Sequence, residues 1–149
     1  MFRLRRKEFL RQVVYKDLPF FSLNGYKTWG KVVKQYDGDS CTIAMHYKKQ
    51  PYKFKTRLTG IDTAEIRTLD PIERRVALQA KERLAELIGG NLVYVECFDN
   101  DKYGRLLCNL YSNKKMEKSF NDILVEEGLA GWYNGGKKSH YRDWYTGDL

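Results

Sequence analysis

The stretch DPIERRVALQAKERLAELIG, residues 70–89, decides the fold because it is a well-punctuated helix between two groups of predicted strands. Asp70 suits the N-cap, Pro71 suits the first helical position, and Glu73 suits the third, where it would complete a capping box. Gly89 suits the position that ends the helix. Between these residues runs one apolar stripe at helical spacing, made of Ile72, Val76, Ala80, Leu84, Leu87 and Ile88.

Five predicted strands flank this helix, three before it and two after it. The first three cover residues 28–36, 41–45 and 52–61, and the last two cover 92–98 and 105–111. The first is rich in β-branched and aromatic residues, and the second alternates as a half-buried strand does. Five strands with a helix between the third and the fourth follow the order of an OB-fold barrel.

A second helix is predicted from Ser119 to Gly128, whereas residues 134–149 carry no pattern that assigns an element. The buried face of this helix would consist of Phe120, Ile123 and Leu124. We therefore predict a mainly β fold with α-helices, of the α+β class. It is a five-stranded OB-fold barrel with two to three packed helices and an amino-terminal extension.

The length of 149 residues suits one core domain, expected at residues 27–149, preceded by a basic amino-terminal extension at residues 1–26. The formal net charge is +8, and the extension carries most of it, since residues 1–27 hold seven Lys/Arg and two Asp/Glu. Such a charge favours anionic partners, either nucleic acid or an anionic membrane surface.

The extension contains apolar residues near helical spacing, among them Phe9, Leu10 and Val13, with arginine and lysine between them. A short helix packed on the domain is one interpretation. Contact with nucleic acid or another protein, a localisation signal and a membrane-surface contact are the others. The Leu18-Pro19 step is expected to end this helix.

Three cysteines, Cys41, Cys97 and Cys108, have no metal-ligand spacing, and with only two histidines they argue against a zinc site. We expect them to be buried thiols on strands. The sequence contains no apolar run long enough to span a membrane and no segment typical of a secretory signal. An intracellular protein is therefore expected, or a precursor whose export signal is not part of this sequence.

Acidic residues lie at the predicted ends of neighbouring strands. Asp39 follows the first strand in the segment DGDS, residues 37–40, and Asp62 and Glu65 end the third. Each segment alone also suits a simple turn. Two aspartates brought together repel each other unless a cation lies between them, and hard oxygen ligands favour Ca²⁺ or Mg²⁺ over zinc.

Two arginines, Arg57 and Arg105, lie on or near predicted strands, where one face of a barrel could present both. Guanidinium groups bind phosphate oxygens bidentately and stay charged, although a solvated surface role fits either residue alone. Glu65 is then a candidate general base for an attacking water, a role worth about 10²–10⁴-fold in rate.

These residues resemble the staphylococcal nuclease (thermonuclease) family in five segments, in order and at matching separations. The segments are DGDS at 37–40, RL at 57–58, IDTAE at 61–65, DKYGR at 101–105 and EGLA at 127–130. The resemblance covers about residues 28–133 and implies an OB-fold barrel. It also implies Ca²⁺-dependent cleavage of DNA and RNA that leaves 3′-phosphates.

By position, the resemblance implies that Asp39 and Asp62 are side-chain Ca²⁺ ligands and that the main-chain carbonyl of Thr63 is a third. It implies that Glu65 acts on the water nucleophile.

The resemblance likewise implies that Arg57 and Arg105 bind the scissile phosphate. Lys102 and Tyr103 would contact the neighbouring nucleotide, and Tyr133 would stand in for a further aromatic contact, one residue out of register.

Three features depart from the family pattern. Ala64 replaces a proline, which would loosen the loop that holds Glu65, and Ser40 replaces a threonine. The terminal helix of the family is expected to be shortened or replaced, with the amino-terminal extension as the candidate replacement.

The sequence thus predicts a metal-dependent phosphodiesterase, a sugar-nonspecific endonuclease with Ca²⁺ as cofactor and DNA and/or RNA as substrate. One alternative is a non-catalytic OB-fold module that binds nucleic acid or protein. A degenerate module of that kind should lack at least one of the site residues, and the sequence keeps Asp39, Arg57, Asp62, Glu65 and Arg105. Another alternative is a membrane- or assembly-targeted protein in which the extension does the main work.

Overall fold

A computed structural model describes residues 2–149, with side chains described from residue 5 onward. The helices are α1 (Phe2–Gln12), α2 (Pro71–Ile88) and α3 (Phe120–Glu126), with 3₁₀ turns at Tyr15–Asp17 and Tyr141–Asp143. The strands are β1 (Lys27–Gln35), β2 (Ser40–Tyr47), β3 (Gln50–Leu58), β4 (Ile61–Asp62), β5 (Leu92–Asn100), β6 (Leu106–Tyr111) and β7 (Gly131–Trp132).

Five of the strands form a closed barrel in the order β1-β2-β3-β6-β5. The pairings are antiparallel except between β3 and β6, which run parallel with Thr56 opposite Leu106. Closure removes the free strand edges that would otherwise be open to association. The predicted α+β class, with a five-stranded barrel and packed helices, is confirmed.

The predicted third strand, residues 52–61, is wrong in its extent because it contains two elements. Strand β3 ends at Leu58, and Gly60 adopts a φ of +77°, a left-handed conformation that glycine enters without steric cost. The chain then turns into β4, which pairs with β7 in a separate two-stranded ladder. This break points the residues after Gly60 away from the barrel wall and towards the site described below.

Helix α2 has the predicted cap and end, but Glu73 does not complete a capping box. The Asp70 carboxylate accepts a hydrogen bond from the Ile72 main-chain N–H at 2.9 Å, and Gly89 ends the helix with a φ of +57°. Glu73 instead accepts hydrogen bonds from the Thr68 hydroxyl at 3.0 Å and the Glu65 main-chain N–H at 3.4 Å. It therefore holds the loop before the helix.

A buried amide side chain, that of Asn121, joins helix α3 to the barrel. The predicted buried face of this helix contained only apolar residues. The Asn121 side chain donates to the carbonyl oxygens of Thr59 at 2.9 Å and Cys108 at 3.2 Å, and accepts from the Leu110 N–H at 3.3 Å. Buried polar groups stabilise only when such partners are supplied. Asn121 thereby fixes the end of β3 next to β6.

The barrel interior is apolar and contains the three thiols. Cys41, Cys97 and Cys108 lie on β2, β5 and β6, are free, and are buried, which confirms the prediction for them. Burial raises the pKa of Cys41 and of Cys97 to about 11. It raises the pKa of Cys108 well above its ordinary value.

The helix predicted in the extension is present as α1, but the side chains described in it, at residues 5–12, are all exposed instead of packed on the domain. Phe9 is 66% exposed and Leu10 is 64% exposed. The extension joins the barrel further on, where Leu23 is buried and the Gly25 N–H donates to the Cys97 carbonyl oxygen at 2.9 Å. The boundary at residue 26 stays a prediction.

The carboxyl-terminal segment packs on α2, and replacement of the family's terminal helix by the extension stays a prediction. Tyr141 is buried beside Val76 and Ala77. Its hydroxyl donates to the Asp70 carboxylate at 3.1 Å, and the Tyr145 hydroxyl donates to Gln79 at 2.6 Å. No helix among residues 2–149 combines the length and apolar character needed to cross a membrane.

Candidate functional site

A tight turn between β1 and β2 presents Asp39. The Asp37 carboxylate accepts hydrogen bonds from the Asp39 main-chain N–H at 3.1 Å and the Ser40 hydroxyl at 2.6 Å. Gly38 lets this turn approach α2, because a Cβ there would lie 2.7 Å from the Cβ of Ala80. The turn therefore places Asp39 in a buried position at the start of β2.

Arg57 on β3 bridges two buried carboxylates. Its Nη2 lies 3.2 Å from Asp62 Oδ1 and 3.5 Å from Asp39 Oδ2. All three side chains are at most about a tenth exposed, so the guanidinium compensates charges that water does not reach. Asp39 and Asp62, predicted from separate loops, are thus brought together at one nitrogen atom.

Asp39 lies in an environment that disfavours its charged form. Burial raises its pKa to about 7, the Asp37 carboxylate adds to the shift, and Arg57 opposes it. A hydrogen bond from the Thr63 main-chain N–H to Asp39 Oδ2, at 3.3 Å, also favours the ionised form. The guanidinium of Arg57 therefore compensates only part of what the ionised Asp39 carboxylate loses by burial.

Strand β4 carries Asp62 into the site, and the loop after it carries Thr63 and Glu65. Ile61, which pairs with Trp132 of β7, is fully buried and anchors this strand. Thr63 is buried, whereas the Glu65 side chain is 63% exposed. The predicted base therefore lies at the solvent edge of the acidic cluster.

Arg105 lies beside the cluster, at the start of β6, and is oriented by Asp101. Its main-chain N–H and its Nε donate to the two Asp101 carboxylate oxygens at 2.9 and 2.7 Å. Burial acts to raise the pKa of Asp101, but these hydrogen bonds outweigh it and lower the pKa below its ordinary value. Because Asp101 engages Nε, the two terminal nitrogens of Arg105 stay available for a ligand.

A cavity of about 580 Å³ joins the basic and aromatic members of the site. It is lined in part by Arg57, Lys102, Tyr103, Arg105 and Tyr133. Five of the nine predicted residues thus share one cavity. The four others, Asp39, Asp62, Thr63 and Glu65, do not line it, but the three carboxylates among them contact Arg57 or one lining residue that was not predicted.

That residue is Lys138, which follows Gly135 and Gly136 in the loop after β7. Its ammonium group lies 3.3 Å from Asp62 Oδ1 and 3.7 Å from Glu65 Oε1. Partial burial acts to lower the pKa of Lys138, but attraction to the two carboxylates outweighs it and raises the pKa. The one sequence signal for this residue is a glycine-rich turn followed by two lysines.

Tyr133 lies between the two cations of this wall. Its ring centroid is 5.4 Å from Arg57 Cζ and 5.8 Å from Lys138 Nζ. Tyr103, largely exposed, lies 5.6 Å from Arg105 Cζ in the same way. Aromatic rings at these distances attract cations and leave a face for stacking.

The donor atoms present fit a hard divalent cation. Asp39 and Asp62 bring two carboxylates together at Arg57, and Thr63, next in the chain after Asp62, is buried beside them with its main-chain N–H on Asp39. Within residues 5–149, no group of three or more His, Cys, Asp or Glu side chains is arranged to hold a metal. A cation at this position would therefore depend on the two aspartates together with main-chain and water oxygens.

Comparison with known proteins places these residues in a family. The model of the family described as staphylococcal nuclease homologue matches residues 55–146, more than half of the chain. Four predicted members of the site, from Arg57 to Glu65, lie inside the match, as do those from Lys102 to Tyr133. Asp39 lies before its start.

Three relatives illustrate the range of similar proteins. Protein ParB of Escherichia coli is 31% identical over 110 residues, which are 70% of this chain and 56% of ParB. Staphylococcal-like nuclease CAN1 of Arabidopsis thaliana is 30% identical over 81 residues, 54% of this chain and 22% of CAN1. An uncharacterized 38.1 kDa protein of Capnoides sempervirens is 30% identical over 86 residues, 58% of this chain and 23% of that protein.

The chain spans between 22% and 56% of the length of these relatives. On the family match and the closed five-stranded barrel together, the chain belongs to the staphylococcal nuclease homologue family.

Proposed function

We propose that the chain is a calcium-dependent endonuclease that hydrolyses phosphodiester bonds of DNA and/or RNA and leaves 3′-phosphate ends. The observation that carries the proposal is the position of Arg57, which contacts two buried aspartates and also lines the cavity with Arg105. Membership of a nuclease family adds support.

The phosphate of the substrate is expected to bind between the two arginines. Hydrolysis adds negative charge to the phosphoryl oxygens, and guanidinium groups stabilise that charge best when their orientation is fixed beforehand. Arg57 is fixed by Asp39 and Asp62, and Arg105 by Asp101. Each arginine would therefore meet the phosphate without reorganising.

Glu65 is the proposed general base. Its carboxylate lies near the acidic cluster but is exposed, so a water molecule can reach it. In the proposed step, water attacks phosphorus, Glu65 accepts the water proton, and the bond from phosphorus to the 5′ oxygen breaks. The 5′ oxygen takes a proton from solvent, and the phosphate stays on the 3′ side.

Asp39, Asp62 and the Thr63 carbonyl oxygen are the proposed ligands of Ca²⁺. Bound calcium would supply positive charge to the phosphate and to the attacking water. The raised pKa of Asp39, which burial causes, is consistent with a carboxyl group placed for a cation.

Lys102, Tyr103 and Tyr133 are the proposed contacts to the neighbouring nucleotides. A lysine near the phosphates and two rings that bases can stack on bind single strands with little sequence preference. We therefore propose that the substrate is recognised by its backbone and base faces, with affinity that falls as salt rises.

The exposed basic extension is a further proposed contact for nucleic acid. Arg5, Arg6 and Lys7 lie on α1, and each is exposed. Replacing all three by glutamine should make the salt dependence of binding to single-stranded DNA shallower by about 0.7 per lost phosphate contact. An unchanged salt slope would remove nucleic acid as the partner of the extension and favour a protein partner.

The direct test is digestion of single-stranded DNA and of RNA with calcium and with chelator. The proposal predicts cleavage that requires calcium and products whose ends are 3′-phosphates, sensitive to a 3′-phosphatase. Cleavage that persists in chelator, or products with 3′-hydroxyl ends, would contradict it. Salt-sensitive binding without cleavage of either substrate would instead identify the second candidate, a non-catalytic binding module, which the basic and aromatic cavity wall also suits.

A further inference from the structure

Lys138 reaches the acidic cluster from an element that is distant in sequence. It follows β7, whereas Asp62 belongs to β4 and Glu65 to the loop after it. Its ammonium group lies within 4 Å of both carboxylates, at 3.3 and 3.7 Å.

Two cationic groups converge on the same oxygen atom. Asp62 Oδ1 lies 3.2 Å from Arg57 Nη2 and 3.3 Å from Lys138 Nζ. Arg57 is buried and also contacts Asp39, whereas the Lys138 side chain is 49% exposed and, in the part of the chain that the structure describes, forms no ion pair with Asp39. Of the two, Lys138 is the cation that can leave without stranding a buried charge.

We propose that Lys138 is a functional residue of the candidate site, whose ammonium group neutralises Asp62 and Glu65 in the calcium-free protein and competes with calcium for Asp62. The proposal rests on the calcium site proposed above. A divalent cation bound to Asp62 would lie within a few ångströms of the ammonium group. Like charges at that separation repel each other, and of the two cations at Asp62 the half-exposed ammonium group is the one that can move into solvent.

The loop that carries Lys138 allows this exchange. Gly135, with a φ of +92°, and Gly136 precede it, and both are exposed. Glycine gives the chain more backbone freedom than any other residue. When calcium displaces it, the ammonium group remains near the Tyr133 ring, 5.8 Å away in the structure, and beside the cavity.

As a consequence, the ammonium group of Lys138 neutralises the Asp62 and Glu65 carboxylates in the folded, calcium-free protein. Calcium then binds more weakly than it would to the same site without this ammonium group. A half-exposed ion pair contributes little to stability, so competition from the Lys138 ammonium group should weaken calcium binding by only about fivefold. Removing the ammonium group should restore that factor.

The test is calorimetric titration of the full chain with calcium chloride, comparing the wild type with Lys138→Met. Methionine keeps most of the aliphatic side chain and removes the charge. Lys137→Met is the matched control, because Lys137 is exposed and forms no ion pair with any residue that the structure describes. We expect Lys138→Met to bind calcium about fivefold more tightly and Lys137→Met to differ from the wild type by less than about twofold.

A second measurement uses the wild type alone. Reductive methylation with formaldehyde, read by mass spectrometry, should modify Lys138 faster when calcium is present, while Lys137 reacts at one rate in both conditions. Equal or weaker calcium binding by Lys138→Met, no calcium binding by either protein, or methylation of Lys138 that ignores calcium would overturn the proposal. Neither measurement involves nucleic acid, so a failure of cleavage with these results intact would refute the nuclease alone.

Discussion

Replacing Arg57 by methionine should destabilise the calcium-free protein far more than the loss of one surface charge would. The guanidinium lies 3.2 Å from Asp62 and 3.5 Å from Asp39, and all three groups are buried. At an effective dielectric constant of about 20, each contact represents roughly 5 kcal/mol of Coulomb attraction, much of which offsets the desolvation of the three charges.

With methionine at position 57, Asp39 and Asp62 stay buried but lose the attraction of the guanidinium group. Removing one partner of a buried ion pair typically costs about 3–5 kcal/mol. Asp39 can escape part of this cost by taking up a proton, because burial already raises its pKa to about 7. We therefore expect a loss near the lower figure, about 3 kcal/mol at pH 8.5.

The assay is urea unfolding followed by circular dichroism, in chelator and reductant at pH 8.5. Lys55→Met is the control, since Lys55 lies on the same strand and is exposed. It should change the free energy of unfolding by less than about 0.5 kcal/mol. If Arg57→Met unfolds within 1 kcal/mol of the wild type, Arg57 does not compensate the two aspartates as described, and the electrostatic account of the site is wrong.

Three further predictions follow from single contacts. Gly38→Ala places a Cβ 2.7 Å from the Cβ of Ala80. It should therefore lower the free energy of unfolding in urea by about 1–3 kcal/mol and weaken calcium binding measured by calorimetry. Unchanged stability and unchanged calcium binding would mean that the turn does not depend on its close approach to α2. Asp70→Ala removes the cap of α2 and should cost about 1 kcal/mol by the same unfolding assay, and an unchanged midpoint would contradict the capping role. Burial raises the pKa of Cys41 and Cys97 to about 11, so these thiols should react with Ellman's reagent at pH 8 more than about 100-fold more slowly in the native protein than in denaturant. Rapid reaction of the thiols in the native protein would show that the barrel opens.

Local signals in the sequence were enough to predict the helices and the five barrel strands, but not the two short strands β4 and β7. Helix α2 is fixed by Asp70, Pro71 and Gly89, which act within one turn of each helix end, so its bounds follow from the residues alone. The barrel strands follow from alternation, and their order follows from the position of the helix. The break at Gly60 was missed because β4 has only two residues and pairs with an equally short strand far along the chain.

The contacts of the site depend on tertiary structure, which explains what the sequence did and did not predict. The acidic and basic members were recognised as a set through the family resemblance, and the contacts of Arg57 with Asp39 and Asp62 bring three of them together. Lys138 has no sequence signal that relates it to Asp62, because the two meet only when β7 pairs with β4. The same holds for Glu73, which a local rule assigned to a capping box and which the fold uses to hold the loop of Glu65.

The central claim is that Glu65 activates water at a calcium site, and the rate of cleavage by Glu65→Gln tests it most directly. Single-stranded DNA would be digested at saturating calcium by the wild type, by Glu65→Gln and by the control Glu117→Gln, whose exposed side chain lies in the loop before α3. The account predicts that Glu65→Gln binds calcium but cleaves at least about 100-fold more slowly, while Glu117→Gln cleaves at the wild-type rate. Wild-type cleavage by Glu65→Gln would contradict it.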